Sequence, residues 1–438
     1  MRPGLLIAST VLMCVGPAAR AQDTLHLAQM EEAALRSDPR VKQRDLLRAA
    51  SDLRVGVITS DRLPDLSING FGSHQSDVTK PTLGPGLIFP DLPKDRYQTT
   101  LDISQRLYDG GDVARRREVE QAREAESQAG VDATLYQLRS DVNSAFFSAV
   151  LLDQRSKEFE TLVTDLRARL DAVRARVEAG TALRSDAAQI EAELMRAVLQ
   201  RDEARATRRA SLAILADLVG RSIDTAVVLA LPTDEPERTN PVDPAAIAAL
   251  RQRPEYEQFR STRFRLEREA AATSVENKPR LFAFGQAGVG LPGLNQFRQS
   301  SDAFWQAGLR VEWRPWTWGS AGRTAAALRL EQDVVTTEEE ALGRQLARAV
   351  ATDLEDIERL KSTLADDERI VALRTEVERQ ARARYDEGTI TTPDYVEART
   401  DVLDASLVLD RHRVELAQAR SRYLTTLGIK PRTTSDTP

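Results

Sequence analysis

The stretch "ARYDEGT" (residues 383–389) sits inside a long polar tract, and a near copy, "ARVEAGT" (175–181), precedes it by 383 − 175 = 208 residues. No proline interrupts the chain from Asp109 to Leu231 or from Trp316 to Thr392. Both tracts are rich in Ala, Arg, Glu, Leu and Gln, which lose little side-chain freedom in a helix. Apolar residues recur at Leu135, Leu138, Val142, Ala145, Ala149 and Leu152, alternating steps of three and four, as along a coiled-coil seam. At ~1.5 Å per residue, a helix from Asp112 to Val177 would be about 100 Å long, more than a compact globule needs. Glycine lacks a Cβ, so Gly180 and Gly388 suit the left-handed residue that ends a helix. Ser185 before Asp186, and Thr392-Pro393 before Asp394, predict that a new helix starts a few residues on, with a hydroxyl cap and an acid in its first turn. Each copy is then a tight tip joining two long antiparallel helices, at about 178–186 and about 386–394.

The copying extends upstream. Pro39, Pro64 and Gly70 are answered by Pro254, Pro279 and Gly285 at an offset of 215, while Gly111 and Arg115 are answered by Gly319 and Arg323 at 208. The first copy therefore holds 215 − 208 = 7 extra residues, which the Gly/Pro-rich stretch 76–96 would absorb as a loop. The organisation predicted is a first repeat over 22–220, a proline-rich linker over 221–250, a second repeat over 251–428 and a disordered tail over 429–438. Residues 1–21 read as a secretory signal: Arg2, an apolar run from Leu5 to Val15, then Ala19-Arg20-Ala21. Its removal takes two arginines from a chain of net charge −6, leaving −6 − 2 = −8, and removes Cys14, the only cysteine. Met13 is too bulky for a lipid-attachment motif around Cys14.

Two stretches alternate with a period of two. In 97–107, Tyr97, Thr99, Leu101, Ile103, Gln105 and Leu107 face one way; in 303–313, Ala303, Trp305, Ala307, Leu309, Val311 and Trp313 do so. Each needs a partner, at about 64–75 and about 280–291, and "GVGLPGLNQ" (288–296) suits a hairpin loop. Segments of ~10 residues with one apolar face match a transmembrane strand. Trp305, Trp313, Trp316 and Trp318 fall within 14 residues, at or just beyond the ends of the fourth strand, as in the aromatic girdle at a membrane boundary; the competing assignment is a half-buried sheet in a soluble protein. Four strands cannot close a barrel and lipid does not tolerate an open edge, so strands in a bilayer require several chains.

In this order, duplicated within one chain, these pieces resemble the TolC-like outer membrane factors. The resemblance rests on "LHLAQMEEAALRSDPRV" (25–41), Pro64, "QRLYDGGDVARRREVEQA" (105–122), the two Gly-Thr tips and the closing "RYLTTLG" (422–428). It implies a mostly α chain with a transmembrane β part, assembled as a homotrimer. The trimer shares a 12-stranded β-barrel, four strands per chain, above a long coiled-coil α-barrel in the periplasm. It further implies an outer-membrane exit duct of an efflux pump or type I secretion system. A periplasmic adaptor would dock at Gly180, Thr181, Gly388 and Thr389 and link the duct to an inner-membrane transporter. By position, Asp394 and Glu397 would form an acidic constriction and Tyr385 and Asp186 a latch, whose arginine partner is Ile390 here.

Other classes fit poorly. The chain is acidic and lacks a basic cluster, against nucleic acid. His26, His74 and His412 lack ligand spacing, and no nucleophile elbow, phosphate loop or dinucleotide turn occurs, so no enzyme, cofactor or metal is expected. A soluble periplasmic coiled-coil adaptor or structural protein would also show helical hairpins, but needs no amphipathic strands.

Overall fold

The computed structural model describes residues 24–78, 92–232, 248–295 and 300–429. The expected signal segment with Cys14, most of the inserted loop, the centre of the linker and nearly all of the tail lie outside these residues. The elements are β1 (Thr24–His26), α1 (Leu27–Ser37), α2 (Val41–Ser60), β2 (Asp65–His74), β3 (Asp95–Tyr108), α3 (Asp112–Glu178) and α4 (Arg184–Val219). They continue with β4 (Val228–Ala230), α5 (Pro254–Thr273), β5 (Arg280–Leu291), β6 (Asp302–Glu312), α6 (Ser320–Asp386) and α7 (Thr392–Leu427). Two compact units emerge: Met1–Asp38 with Gln137–Pro241 and Ala349–Pro438, and Pro39–Tyr136 with Val242–Arg348. Helices α3 and α6 contribute to both.

The first unit is helical. Its upper core gathers Leu27, Met30 and Ala34 of α1, Val142, Phe146 and Phe147 of α3, Leu212, Leu215 and Val219 of α4, and Val414 and Ala417 of α7. Phe146 and Phe147 meet edge to face at 5.5 Å, a favoured aromatic geometry. β1 and β4 pair in parallel beside this core. A second core gathers Phe159, Leu162, Val163, Leu166, Leu170 and Val173 of α3 with Ile190 and Ala197 of α4, Tyr385 of α6, and Tyr395 and Leu403 of α7. On α3 these apolar positions recur at steps of three and four, which keeps them on one stripe.

The second unit is built on an antiparallel sheet in the order β2-β3-β5-β6. Ile68 pairs with Leu101, Leu101 with Ala287, and Ala287 with Trp305. Successive strand residues alternate between faces, so this row lies on the face that also carries Leu66, Ile103, Val289, Leu309 and Val311, all exposed. The opposite face is mostly polar but also carries Phe71, Phe282, Phe284 and Phe304. Asn69 Nδ2 and Gln286 Nε2 each donate to Asp102, and Gln306 Nε2 donates to Gln286 Oε1, so a hydrogen-bonded row crosses all four strands. The glycines of 288–296 expected in a hairpin loop begin inside β5 instead. A Cβ on Gly288 would lie 2.4 Å from the Thr99 carbonyl oxygen, so glycine there serves close strand approach. Among the described residues, no helix is long and apolar enough to cross a membrane.

Candidate functional site

The two helical tips share one backbone design. Gly180 and Gly388 take φ of 74° and 73°, and open space surrounds the position of a Cβ at each. Glycine is therefore dictated by the dihedral alone. The Gly180 N–H donates to the Val177 carbonyl at 3.1 Å and the Thr181 N–H to the Arg176 carbonyl at 2.8 Å. At the other tip, Gly388 donates to Tyr385 at 3.0 Å and Thr389 to Arg384 at 2.9 Å. This pair of bonds is the Schellman closure of a helix. The threonine also donates its hydroxyl to the same carbonyl, at 3.1 Å for Thr181 and 2.9 Å for Thr389. Gly-Thr recurs because the glycine turns the chain while the threonine satisfies an orphan carbonyl twice.

The caps that follow lie before the predicted ones. Helix α4 starts from Leu183, not Ser185, and α7 from Thr391, not Thr392. The acid decides the register: as the third helical residue it reaches back to the N-cap N–H. Asp186 accepts from the Leu183 N–H at 3.1 Å, and Asp394 from the Thr391 N–H at 2.9 Å and its hydroxyl at 2.6 Å. These bonds hold the Asp394 carboxyl below the usual carboxylate range, the Thr391 hydroxyl contributing most. Thr392 is instead buried and donates its hydroxyl to the Tyr385 hydroxyl at 3.4 Å.

The expected latch residues are not brought together within the chain. Asp186 caps its own helix, while Tyr385 stacks on Tyr395 with ring centroids 5.0 Å apart and planes 17° from parallel. Tyr395 is fully buried, and its hydroxyl donates to Asp165 at 3.3 Å. Arg399 Nε reaches the same carboxylate at 3.2 Å. Arg169 lies over the Tyr395 ring at 4.9 Å and donates to Asp386 at 2.7 Å. Asp165/Arg169 and Tyr395/Arg399 are pairs four residues apart, each on one helix face. That spacing is visible in the sequence; what faces what is not. Ile390 packs against the apolar core of this tip, and Glu397 is exposed.

In the sheet unit, Trp305 stands on the exposed apolar face. Trp313 Nε1 donates to the Asn277 carbonyl at 3.0 Å. Trp316 and Trp318 meet edge to face at 5.8 Å. Among the described residues no group of His, Cys, Asp and Glu is arranged to hold a metal.

Residues 30–221 match the model of the outer membrane efflux protein family. The chain superposes on CusC with a TM-score of 0.69, at 15% identity over 92% of each chain. It superposes on the open state of MtrE from Neisseria gonorrhoeae at 0.66, with 20% identity over 94% of this chain and 91% of the other. The VceC protein of Vibrio cholerae matches at 0.65, with 15% identity over 93% and 97%. No curated protein matches the sequence. The chain thus resembles the outer membrane efflux protein family over residues 30–221 and shares the fold of these solved outer membrane proteins.

Proposed function

We propose that the protein is the outer-membrane exit duct of a tripartite efflux pump or type I secretion system, a passive channel across the outer membrane and periplasm. One observation carries this: a four-stranded sheet with an exposed apolar face, a mostly polar opposite face crossed by a hydrogen-bonded row, and unpaired edges at β2 and β6 among the described residues. An apolar face suits lipid and a polar one a water-filled lumen. Open edges cannot stand in a bilayer; three chains of four strands close a 12-stranded barrel. CusC, with a related fold, is described as forming a transmembrane channel, and the family is one of channels, not enzymes.

Within that assembly the long helices line a periplasmic tunnel. The tips at Gly180-Thr181 and Gly388-Thr389 meet a periplasmic adaptor, which connects to an inner-membrane transporter. Asp394 and Glu397, repeated around a threefold axis, form an acidic mouth that repels anions and attracts cations. Tyr385 and Asp186 belong to the same gate. Trp305, Trp313, Trp316 and Trp318 form the membrane girdle. The transporter, rather than the duct, sets the cargo.

The test is the mass of the mature protein purified from membranes, with the detergent contribution subtracted. A trimer that aggregates when detergent is withdrawn is the expected result. A monomer or dimer that stays soluble without detergent would make the sheet an ordinary one and the protein a periplasmic coiled-coil component.

A further inference from the structure

The two places where a strand leads into a long helix are built differently. At the first, between β3 and α3, charged groups pair with one another. Asp109 accepts from the Gly111 N–H at 2.8 Å and pairs with Arg62 at 3.4 Å. Arg106 reaches Asp112 at 3.6 Å, and Arg116 pairs with both Asp61 and Asp112. At the second, between β6 and α6, the linking stretch "WRPWTWG" (313–319) is exposed nearly throughout. Arg314 meets no carboxylate among the described residues, nor does Lys278, whose Cβ lies against Gly110 of the first junction. Arg280 and Glu312 face each other in the ladder; Lys278 and Arg314 are each two residues beyond that pair. Two exposed cations thus end the same strand pair.

The backbone adds a second observation. Gly110 and Gly111 take φ of 66° and 95°. At the offset of 208 they correspond to Trp318 and Gly319, with φ of 51° and 73°. A left-handed dihedral is rare for a bulky L residue and disfavoured there. At the first junction glycine is required, since a Cβ on Gly110 would lie 2.7 Å from Lys278 Cβ. Trp318 takes the same turn with 81% of its surface exposed. Among the described residues the Trp318 ring meets that of Trp316, and a strained exposed indole points to a partner outside the chain. The apolar face of β6, with Trp305, Leu309 and Val311, runs up to this junction. The junction therefore sits where an apolar band meets water, with indoles and cations side by side.

We infer that the β6–α6 junction is a binding site for an anionic phospholipid headgroup: Lys278 and Arg314 take the phosphate, and Trp313, Trp316 and Trp318 take the glycerol–acyl boundary. The site makes this junction of each subunit an anchor that the β3–α3 junction, with its charges already paired, does not provide. Indoles favour that boundary, and each cation near an anionic surface contributes about fivefold to binding. The inference rests on the placement of the strands in the membrane.

The experiment uses the trimer reconstituted in phosphatidylcholine liposomes doped with either brominated phosphatidylglycerol or brominated phosphatidylcholine, with tryptophan fluorescence as readout. Stronger quenching by the phosphatidylglycerol probe is expected. Lys278→Ala with Arg314→Ala should cut that preference by about 25-fold, about fivefold per cation. Trp318→Gly, which relaxes the turn and so keeps the trimer, should lower the quenching. Equal quenching by both headgroups, an unchanged preference in the double variant, or loss of the preference on adding inorganic phosphate would each overturn the lipid site while leaving the channel intact. Failure of the wild-type chain to enter liposomes as a trimer would instead overturn the channel, and this site with it.

Discussion

The two tips have the same backbone and different anchors. Both close with a left-handed glycine, a threonine bonded twice to one carbonyl, and an aspartate reaching back to the next cap. At the first tip the cap residue is Leu183, which has no hydroxyl and stands exposed. At the second tip Thr391 caps with its hydroxyl, Thr392 and Tyr395 are buried, and Asp165 and Arg169 of α3 hold Tyr395 from across the bundle. Turn geometry is thus set by a few local residues in both, whereas buried residues come closer to the turn at the second tip (Tyr385, Thr392, Tyr395) than at the first (Val173, Ile190). A hairpin end with few buried contacts opens at lower free energy than one that is pinned. The first tip is the looser surface and the second the one whose movement must break a defined set of contacts.

Substitutions can separate these levels. The largest difference is expected from Tyr395→Ala, which removes a fully buried aromatic and should cost about 3–5 kcal/mol. Leu183→Ala at the first tip should stay within about 0.5 kcal/mol, as exposed positions usually do. Hydrogen exchange of residues 380–400 and 172–192 would read both, and equal protection loss at the two tips would erase the contrast. Next come Gly388→Ala and Gly180→Ala. Each forces a Cβ into the left-handed region, at about 1–2 kcal/mol. Similar values from chemical denaturation would show that the turns themselves are equivalent, even though their anchors are not. A smaller effect, about 1 kcal/mol, is expected for Thr391→Ala through loss of the cap. Acid acts in the same place. The Asp394 carboxyl is held below its ordinary range in the folded chain, so its contribution is present above the usual aspartate pKa and is lost as pH falls through the lower folded value. Exchange protection around Thr391 should therefore fall in that acidic window in the wild type and not in Asp394→Asn.

The membrane face offers an independent check. Leu309→Arg would set a cation toward mid-bilayer at about 2–4 kcal/mol per chain, with loss of outer-membrane trimers on semi-native gels, whereas Trp305→Arg in the girdle should cost only about 0–1 kcal/mol. Normal trimers from Leu309→Arg would remove β6 from the lipid.

Much of the helical architecture is legible from local composition. Proline-free tracts of good helix formers with a seam at steps of three and four leave few alternatives to long helices, and α3 and α6 each run for 67 residues. The turns at Gly180 and Gly388 are legible because a left-handed dihedral leaves a residue-type mark. The cap positions are less legible: proximity to an acid favours Ser185 and Thr392, but the acid acts on the N-cap three residues before it, whatever side chain stands there. The latch expected of Tyr385 and Asp186 came from family positions; within the chain Tyr385 stacks on Tyr395 and Asp186 caps its own helix.

By itself the sequence determined where the chain turns, which segments are helical and which have a period of two, because dihedral preference and hydrophobic period are properties of neighbouring residues. Only the tertiary structure decided that Tyr395 is gripped by Asp165 and Arg169, 230 and 226 residues before it (395 − 165, 395 − 169). It also decided that a hydrogen-bonded row from Asn69 to Gln306 crosses four strands, and that Trp318 occupies a turn suited to glycine. Contacts between distant residues depend on strand register and helix rotation, and a one-residue shift in either would exchange every partner while leaving the local patterns unchanged.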